Sequence, residues 1–512
     1  MEYQLKKELC PTCEAVFEGT SEQPVDLDIS LPDYCPDIER LLKCRICPTV
    51  SGKTISGDRL EVEGTALITL YYLDSKKKAV RYCEHNSPFS CSFKLRPELA
   101  DPVAVVKLRT DYLNCRAVGP RRVDIHGAFT VCAVVYARTE QEFCSGIEGS
   151  DIQQKTHSEG YSRLCGTGQQ IFSITETLDI GQGKGSPEGI LRSGLTVRAE
   201  SCKALTDKLM VNGEAVLHLL YVTDVETGAA DTMTFHIPFT QVLDVQGVTS
   251  ETVNELRLDV MNFDASLKSE YDENSTLVTL DARICATVIA TEPSEMVVVD
   301  DAYSTDYELE LTSKPCSFTE LLSLSENSLV LKEEAALGEN GITQMMDVWC
   351  ESVSSVASYE NDALTIRGKV LCAMLALDSE GTPFYAERAL EFSYSPEISV
   401  HGGTVNARVQ VTPLSVSFRI TGDNTIELKA ELRCAAAVFS TRSCKAVTAA
   451  QTSEERRRQK DSAAALTIYY ADEGENLWGI ARQYCTSVEA LRLENELTED
   501  VFTGRTMLLI PV

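Results

Sequence analysis

An alternating pattern of apolar and polar residues occurs three times along the chain, each time leading to a glycine. The first copy spans residues 58–64, and the same Asp-x-Leu-x-(Val/Ile)-x-Gly pattern returns at 207–213 and 362–368. A period of two is typical of a β-strand that has one face on a core and the other toward water. The pattern continues past the first glycine, so we expect Glu61 and Thr69 to lie on the water-facing side.

The three glycines, Gly64, Gly213 and Gly368, hold the same position within the pattern. A phenylalanine follows each of them after 24 to 26 residues, at Phe89, Phe239 and Phe392. A glycine fixed at one register inside a strand indicates a β-bulge or a close approach of another backbone. The three glycines are therefore predicted to occupy equivalent strand positions in three copies of one fold.

An apolar pair precedes each glycine by 23 residues. The pairs are Leu41-Leu42, Ile190-Leu191 and Met345-Met346. Their surroundings favour a short helical or turn segment, so we expect each unit to be about 150 residues of β-hairpins with one short helix near its start.

The repeats predict a mainly β fold with three tandem β-sandwich-like units. The first unit is assigned to residues 21–165, after an N-terminal lead-in at 1–20, and the second to 166–325. The third is assigned to 326–446. A charged stretch with few apolar residues follows at 447–465 and is expected to be a linker.

The last part of the chain, residues 466–512, changes from strand to helix periodicity. Apolar residues recur at helical spacing from Leu477 to Tyr484, and Asn476 can cap that helix. A second helix is expected to open at Thr486, with Glu489 completing a capping box. A strand at each end makes this a small βααβ domain.

Several segments resemble known families. Ile29-x-Leu31-Pro32, the segment 36–42, the alternating strand and the Pro-Phe-Ser step at 88–90 are similar to SPOCS domains. The βααβ unit resembles a LysM domain. Tandem SPOCS domains followed by LysM resemble the SipL-type spore coat morphogenesis proteins of endospore-forming bacteria.

The LysM resemblance implies a binding groove between two loops. Its positions in this sequence are Gly474, Glu475, Asn476, Leu477, Asn495 and Leu497. LysM domains commonly bind N-acetylglucosamine polymers such as peptidoglycan. Here the usual Gly-Asp-Thr-Leu reads Gly-Glu-Asn-Leu and the usual Pro-Gly reads Thr-Gly, so the same surface could hold a protein instead. Substitutions at Asn495 or Leu497 are expected to spare folding, and Trp478 is expected to be a packing residue.

The SipL-type resemblance implies a non-enzymatic scaffold in the mother-cell cytoplasm that tethers the coat to the forespore surface. It also implies a protein partner, the coat-basement ATPase of the SpoIVA type, which is reached through the LysM domain. Peptidoglycan binding through that domain remains the alternative.

The net charge of the chain limits the classes of molecule that it could bind. It carries 77 acidic and 47 basic residues, a net charge of −30. Such a charge repels phosphate backbones and anionic membranes, so we expect no nucleic-acid binding. There is no apolar run long enough for a membrane span and no apolar core of a signal peptide near Met1, which predicts a cytoplasmic protein.

The nineteen cysteines include two C-x-x-C pairs, Cys10 with Cys13 and Cys44 with Cys47, with 30 residues between the pairs. Paired C-x-x-C elements can build a zinc site. The long gap and the lack of matching pairs in the other repeats count against zinc. Other cysteines, among them Cys132 and Cys285, fall in strand patterns where a thiol acts as a small core residue. We therefore expect no cofactor.

Motifs of catalysis are missing from the sequence. The histidines form no H-E-x-x-H, and no G-x-S-x-G nucleophile elbow occurs. His126 and His218 fall at outward strand positions, where a solvated side chain is common. A fold that repeats without a repeated polar site favours a scaffold over an enzyme.

Overall fold

The computed structural model describes residues 3–76, 79–181, 183–268, 276–337, 341–400, 402–457 and 467–511. These residues form a mainly β protein, as the periodicity predicts, with helix present only near the C-terminus of the described part.

The first six strands form two three-stranded antiparallel sheets. Their bounds are β1 Leu5–Ser30, β2 Ile38–Ser56, β3 Arg59–Asp74, β4 Val80–Lys94, β5 Ala100–Gly119 and β6 Arg122–Ile147. One sheet has the order β2-β3-β4 and the other the order β1-β6-β5. The meander β2–β4 is therefore inserted between the first strand of the unit and the last two.

The next twelve strands repeat this topology twice. The second set is β7 Ile152–Asp179, β8 Gly189–Leu205, β9 Lys208–Asp224, β10 Ala229–Asp244, β11 Val253–Leu267 and β12 Leu277–Ser304. The third set is β13 Tyr307–Ala336, β14 Gln344–Glu360, β15 Ala363–Leu377, β16 Pro383–Tyr394, β17 Thr404–Ile420 and β18 Thr425–Arg457. Their sheets have the orders β8-β9-β10 with β7-β12-β11, and β14-β15-β16 with β13-β18-β17. We call the three sets units 1, 2 and 3.

The remaining elements are β19 Thr467–Ala471, α1 Leu477–Gln483, α2 Val488–Glu494 and β20 Thr506–Ile510. β19 and β20 pair antiparallel, and the two helices lie between them in the chain. We call residues 467–511 the C-terminal domain.

Each unit is a sandwich whose two sheets share one apolar core. In unit 1 that core combines Leu60 and Val62 of β3, both 0% exposed, with Val123 and Ile125 of β6. Units 2 and 3 have the same kind of core between β9 and β12 and between β15 and β18. We call the sheets β2-β3-β4, β8-β9-β10 and β14-β15-β16 the inner sheets. The alternation read from the sequence thus marks the central strand of each inner sheet.

The repeated glycines lie at equivalent positions of β3, β9 and β15, as predicted. Each faces the repeated phenylalanine on the next strand, in the pairs Gly64–Phe89, Gly213–Phe239 and Gly368–Phe392. A Cβ atom on Gly64 would lie 2.2 Å from the carbonyl oxygen of Thr49 and 2.4 Å from the Phe89 ring. The phenylalanine ring lies across the strand where a side chain is missing, which is why only glycine fits.

The apolar pairs do not form short helices or turns, so that expectation is wrong. They lie within β2, β8 and β14, and the second member of each pair is the extra residue of a β-bulge: Leu42, Leu191 and Met346. A bulge leaves one residue out of the ladder and redirects its side chain. In each unit, the redirected side chain contacts the neighbouring units.

The three units meet at a junction formed by the ends of their inner sheets. The bulge residues pack there with Leu73, Leu220, Trp349 and Leu375 in one apolar cluster. Thr69 was expected to face water, but it is 3% exposed, and Tyr71 and Leu73 next to it are also buried. Both faces of β3 are covered at this end because units 2 and 3 pack against the face that is solvated further along.

Buried polar contacts join the units pairwise at the same junction. Arg45 of unit 1 pairs with Glu351 of unit 3, with Nε and Oε1 3.0 Å apart. The Tyr71 hydroxyl of unit 1 donates to the Leu191 carbonyl of unit 2 over 3.1 Å. Arg192 of unit 2 stacks over the Trp349 ring of unit 3, with 4.6 Å between the guanidinium carbon and the ring centroid. The charges and rings fix which unit lies beside which.

A second shared core lies where the first and last strands of each unit extend beyond its sandwich. It contains Cys10 and Phe143 of unit 1, Tyr161 and Val298 of unit 2, and Phe318 of unit 3. The rings of Phe143 and Phe318 stack with centroids 4.7 Å apart. The three long hairpins therefore bury one another rather than standing free in solvent.

These long strands shift the unit boundaries from the expected positions. Positions 165 and 325 lie inside β7 and β13, and the turns between units lie at 148–151 and 305–306. The expected N-terminal lead-in belongs mostly to β1. The first part of the expected linker continues β18 to Arg457, and residues 458–466 lie outside the described residues.

Replacing Gly64 with alanine is expected to destabilise unit 1 by about 1–3 kcal/mol, because the added methyl group overlaps the Thr49 carbonyl and the Phe89 ring. Thermal melting of the full chain measures this as a lower melting temperature. Gly52→Ala is the control, since a Cβ atom there meets nothing within 4 Å. Equal melting of the two variants would contradict the close approach.

Replacing Glu351 with glutamine is expected to weaken the junction at neutral pH by about 3–5 kcal/mol, because Arg45 is left buried without an opposite charge. Burial acts to raise the pKa of Glu351, but Arg45 and the Trp349 N–H outweigh it and hold that pKa below its ordinary value.

The lowered pKa of Glu351 determines how stability changes with pH. The stability that the carboxylate supplies is present above its ordinary pKa of 4.5 and is lost as pH falls through the lowered value. Melting of the wild type should therefore fall in acid, while Glu351→Gln loses less over the same range. The control is Glu391→Gln, an exposed carboxylate paired with Lys369. Parallel acid profiles for wild type and Glu351→Gln would refute the assignment.

Candidate partner-binding surface on the C-terminal domain

The C-terminal domain is built on two capped helices. The Asn476 side chain accepts a hydrogen bond from the Gly479 backbone N–H over 2.7 Å, so it caps α1 as predicted. The cap of α2 is Ser487 and not Thr486, one residue later than expected, and its hydroxyl accepts from the Ala490 N–H over 3.0 Å. The Thr486 carbonyl is instead used in a contact with unit 2.

The apolar residues at helical spacing form the core of this domain. Leu477, Ile480 and Ala481 of α1 pack against Leu491 of α2 and against Leu508 and Ile510 of β20. All six are at most 4% exposed. So small a domain depends on this strip being fully packed.

The side of the domain formed by α1 is attached to unit 2. The Trp478 ring lies edge-on to the Tyr303 ring of β12 with centroids 4.9 Å apart, and its Nε1 donates to Asp301 over 2.9 Å. Arg482 donates to the same Asp301 carboxylate over 2.7 Å. The Tyr303 hydroxyl donates to the Thr486 carbonyl over 2.7 Å. Trp478 is thus a packing residue, as expected, and it packs between domains.

Most of the proposed groove residues in the first loop serve the fold. Leu477 is 0% exposed and belongs to the core. Glu475 accepts hydrogen bonds from the Tyr469 hydroxyl and from the Asp472 N–H, each over 2.8 Å. The bond from the Tyr469 hydroxyl raises the pKa of Tyr469. The N–H of Gly474, at φ +88°, donates to the Phe502 carbonyl. Backbone hydrogen bonds thus join this loop to the segment 500–502.

The residues of the second loop, Asn495 and Leu497, are also engaged. The Asn495 amide donates to the carbonyls of Leu491 and Leu509 over 2.9 and 2.7 Å, and its oxygen accepts from the Leu509 N–H over 2.6 Å. It ties the end of α2 to β20. Leu497 packs against the apolar core. The expectation that substitutions here spare folding is therefore corrected, because both side chains hold internal contacts.

An apolar surface missed by the sequence analysis lies on the outer face of the β19–β20 sheet. Ile468 and Tyr470 of β19 are 49% and 53% exposed, and Met507 of β20 is 54% exposed. Ile468 lies opposite the half-buried Leu509, and Tyr470 lies opposite Met507. The signal in the sequence was an alternating strand that is apolar on both faces. We call these four residues the sheet face.

The four cysteines considered for zinc do not come together. Cys10 and Cys13, like Cys44 and Cys47, are three residues apart in one strand, so the two members of each pair point to opposite faces. Burial raises the pKa of Cys10 to about 11 and that of Cys13 to about 12, which keeps both thiols protonated. In the part of the chain that the structure describes, no cluster of three or more His, Cys, Asp or Glu residues could hold a metal ion.

Two histidines singled out in the sequence, His126 and His218, contact carboxylates on other strands. His126 Nδ1 lies 3.0 Å from Asp26, on the solvated side of unit 1. His218 was expected to be solvated, but its Nε2 lies 2.8 Å from Asp347 of unit 3 because its strand ends at the junction. The other ring nitrogen of His218 lies 2.9 Å from the Thr234 hydroxyl on the neighbouring strand β10, so this histidine links two strands of unit 2 to unit 3.

Replacing Asn495 with alanine is expected to destabilise the C-terminal domain by about 1–3 kcal/mol, since the carbonyls of Leu491 and Leu509 and the Leu509 N–H all lose their partner. Hydrogen exchange of β20 in the full chain measures this as faster exchange at Leu509. The exposed Glu494→Ala on α2 is the control. Unchanged exchange in Asn495→Ala would return Asn495 to the set of free surface residues.

Comparison with known proteins supports only part of the chain's resemblance. Residues 37–118 and 187–268 each match the family model of the SipL SPOCS domain. The matches fall on the inner meander and the next strand of units 1 and 2. Searches of curated proteins and of solved structures return no significant match. No helix in the described ranges is long and apolar enough to cross a membrane. The chain therefore contains two copies of the SPOCS domain of the SipL type, and its similarity to SipL-type proteins rests on these two regions.

Proposed function

We propose that this protein is a non-enzymatic adaptor of spore coat assembly. The SPOCS match relates it to sporulation and the spore coat, and the family is not known for enzymes. In this proposal the protein acts in the mother-cell cytoplasm at the forespore surface and tethers the coat there by protein–protein contacts. The three joined units provide the rigid body, and the C-terminal domain provides the docking module, which is proposed to be a LysM domain.

The sheet face is the single observation that carries the proposal. A two-stranded sheet of a small domain normally buries one face and solvates the other, but here Ile468, Tyr470 and Met507 expose apolar side chains on the outer face. The helix α1 occupies the opposite side of the domain and is attached to unit 2. The domain is therefore oriented with its apolar face away from that attachment. Contiguous exposed apolar residues on a soluble domain mark interaction surfaces.

The net charge of the domain limits the chemistry of the partner. Residues 467–511 contain eight acidic and three basic residues, and the whole chain carries −30. Arg505 is one of the three basic residues and lies over the Tyr470 ring of the sheet face, with 5.3 Å between its guanidinium carbon and the ring centroid. A second copy of this chain would bring like net charges together, so the fitting partner presents an apolar patch and carries the opposite net charge. The coat-basement ATPase of the SpoIVA type is the partner that we propose for this surface.

A protein partner is favoured over a glycan because of how the groove residues are used. The side chains of Glu475 and Asn495 are held in internal hydrogen bonds, and the side-chain oxygen of Asn476 caps α1. A sugar would have to displace these bonds, whereas a protein can bind the sheet face without disturbing the domain. The glycan-binding alternative predicts that peptidoglycan binding depends on the loops.

The double variant Tyr470→Glu with Met507→Glu is expected to weaken binding to the ATPase at least about tenfold, because two charges enter the centre of an apolar contact. Binding of the purified full chain to the purified ATPase measures this, together with the forespore ring of a fluorescent fusion. Folding should be retained, since both side chains project into solvent. Val356→Glu, which changes a 73% exposed apolar residue in unit 3, is the matched control.

The same proteins distinguish the two functions. Wild-type binding and localisation by the double variant would show that the sheet face is not the docking surface. Retention of the wild-type chain on insoluble peptidoglycan, lost in Glu475→Ala, would replace the adaptor with the glycan-binding alternative.

A further inference from the structure

Two cysteines of unit 3 lie directly opposite each other on neighbouring strands. Cys316 of β13 is the register partner of Cys444 of β18, and their Sγ atoms are 3.0 Å apart. Non-bonded carbon atoms, which are smaller than sulfur, keep about 3.5–4.0 Å between them. The two thiols are therefore pressed together by the pairing of their strands.

The backbone at this position suits a covalent link. Directly opposite residues of an antiparallel pair have Cα atoms about 4.5–5.5 Å apart, which lies inside the range of about 4.4–6.8 Å found for disulfides. Register shifts interrupt the ladder at Thr312/Ser313 and at Leu321/Ser323, so Cys316 lies in a regular stretch between two irregular ones. Closing the last ångström between the sulfur atoms needs no change of register.

Another cysteine pair shows that register alone does not bring thiols together. Cys350 of β14 lies opposite Cys372 of β15. The Cys350 thiol donates to the Ser352 carbonyl over 3.6 Å, and Cys372 is 0% exposed in the core of unit 3. By contrast, Cys316 and Cys444 are both partly exposed at the edge of an apolar cluster. A reagent in solvent can reach this pair.

The cysteine pair lies next to residues that hold unit 3 against units 1 and 2. Phe318, two residues from Cys316, stacks on Phe143 of unit 1, and Arg442, two residues from Cys444, pairs with Glu159 of unit 2 over 3.0 Å. The two cysteines thus lie on the hairpin arm of unit 3 that contacts both other units. A link between them would fix β13 to β18 at this contact.

We propose that Cys316 and Cys444 are a modification site: they form an intramolecular disulfide when the folded chain meets a low-molecular-weight disulfide such as oxidised glutathione, and this bond locks the hairpin arm of unit 3.

The reaction is two successive thiol–disulfide exchanges. The Cys316 thiolate attacks one sulfur of oxidised glutathione, which forms a mixed disulfide and releases one glutathione thiolate. The Cys444 thiol then loses its proton and attacks Cys316 Sγ, which forms the protein disulfide and releases the second glutathione. Two cysteine thiols are oxidised, and one glutathione disulfide is reduced to two thiols. Burial and the contact with Cys316 raise the pKa of Cys444 to about 12, which disfavours the Cys444 thiolate.

Peptide mapping of the folded full chain tests the bond. Purified reduced protein is equilibrated with oxidised glutathione, free thiols are blocked with an alkylating reagent, and the digest is analysed by mass spectrometry. The expected result is one linked peptide containing Cys316 and Cys444, about 2 Da lighter than the sum of the reduced peptides because two hydrogens leave, and lost after reduction. Glutathione or the alkylating reagent on both cysteines of the folded chain would overturn the proposal.

Melting tests the locking. The oxidised wild type is expected to melt at a higher temperature than the reduced wild type, whereas Cys316→Ser melts at one temperature in both conditions. The control is Cys202→Ser, which removes an exposed thiol of unit 2 and should retain the difference shown by the wild type. Equal melting of the oxidised and reduced wild type would show that the bond does not lock the arm. None of these outcomes depends on the proposed adaptor function.

Discussion

The junction at which the three inner sheets end is the constraint on which the rest of the structure depends. A β-sandwich of about 150 residues can bury its own core, but it has no reason to take a fixed position beside its neighbours. Here a bulge in each unit turns one apolar side chain out of the ladder, and Leu42, Leu191 and Met346 meet in a shared cluster. The register irregularity that disturbs each sheet is therefore what assembles the molecule.

Charges at equivalent positions decide the order of the units around this junction. Twenty-one residues before the repeated glycine, unit 1 has Lys43, unit 2 has Arg192 and unit 3 has Asp347. Seventeen residues before it, unit 3 has Glu351, which pairs with Arg45 of unit 1. Three identical units would place like charges together in a low-dielectric site, which is costly. Divergence between the repeats thus converts a repeated fold into one specific arrangement with cations from units 1 and 2 and carboxylates from unit 3.

The C-terminal domain depends on this body for its orientation. The strand β12 extends beyond its sandwich and presents Asp301 and Tyr303 to the domain, where Trp478 and Arg482 bind them. The attachment uses the helix side, so the apolar sheet face is left as the surface for a partner. The adaptor proposal rests on this division of one small domain into an attached side and an exposed side.

The sequence by itself determined the local features, because each depends on neighbours in the chain. Period-two alternation identified the central strands, the fixed glycine indicated a close approach, and Asn476 was recognised as a helix cap. The family resemblance was carried by the same short motifs. What the sequence misjudged was decided by contacts between residues far apart. Thr69 and His218 occupy solvated strand positions in a single sandwich and become buried or paired only because other units pack there. The apolar pairs look helical as isolated dipeptides and are bulges because the junction needs one side chain turned outward. Asn495 looks like a free loop residue, and only the return of β20 beside it shows that its amide holds the fold together.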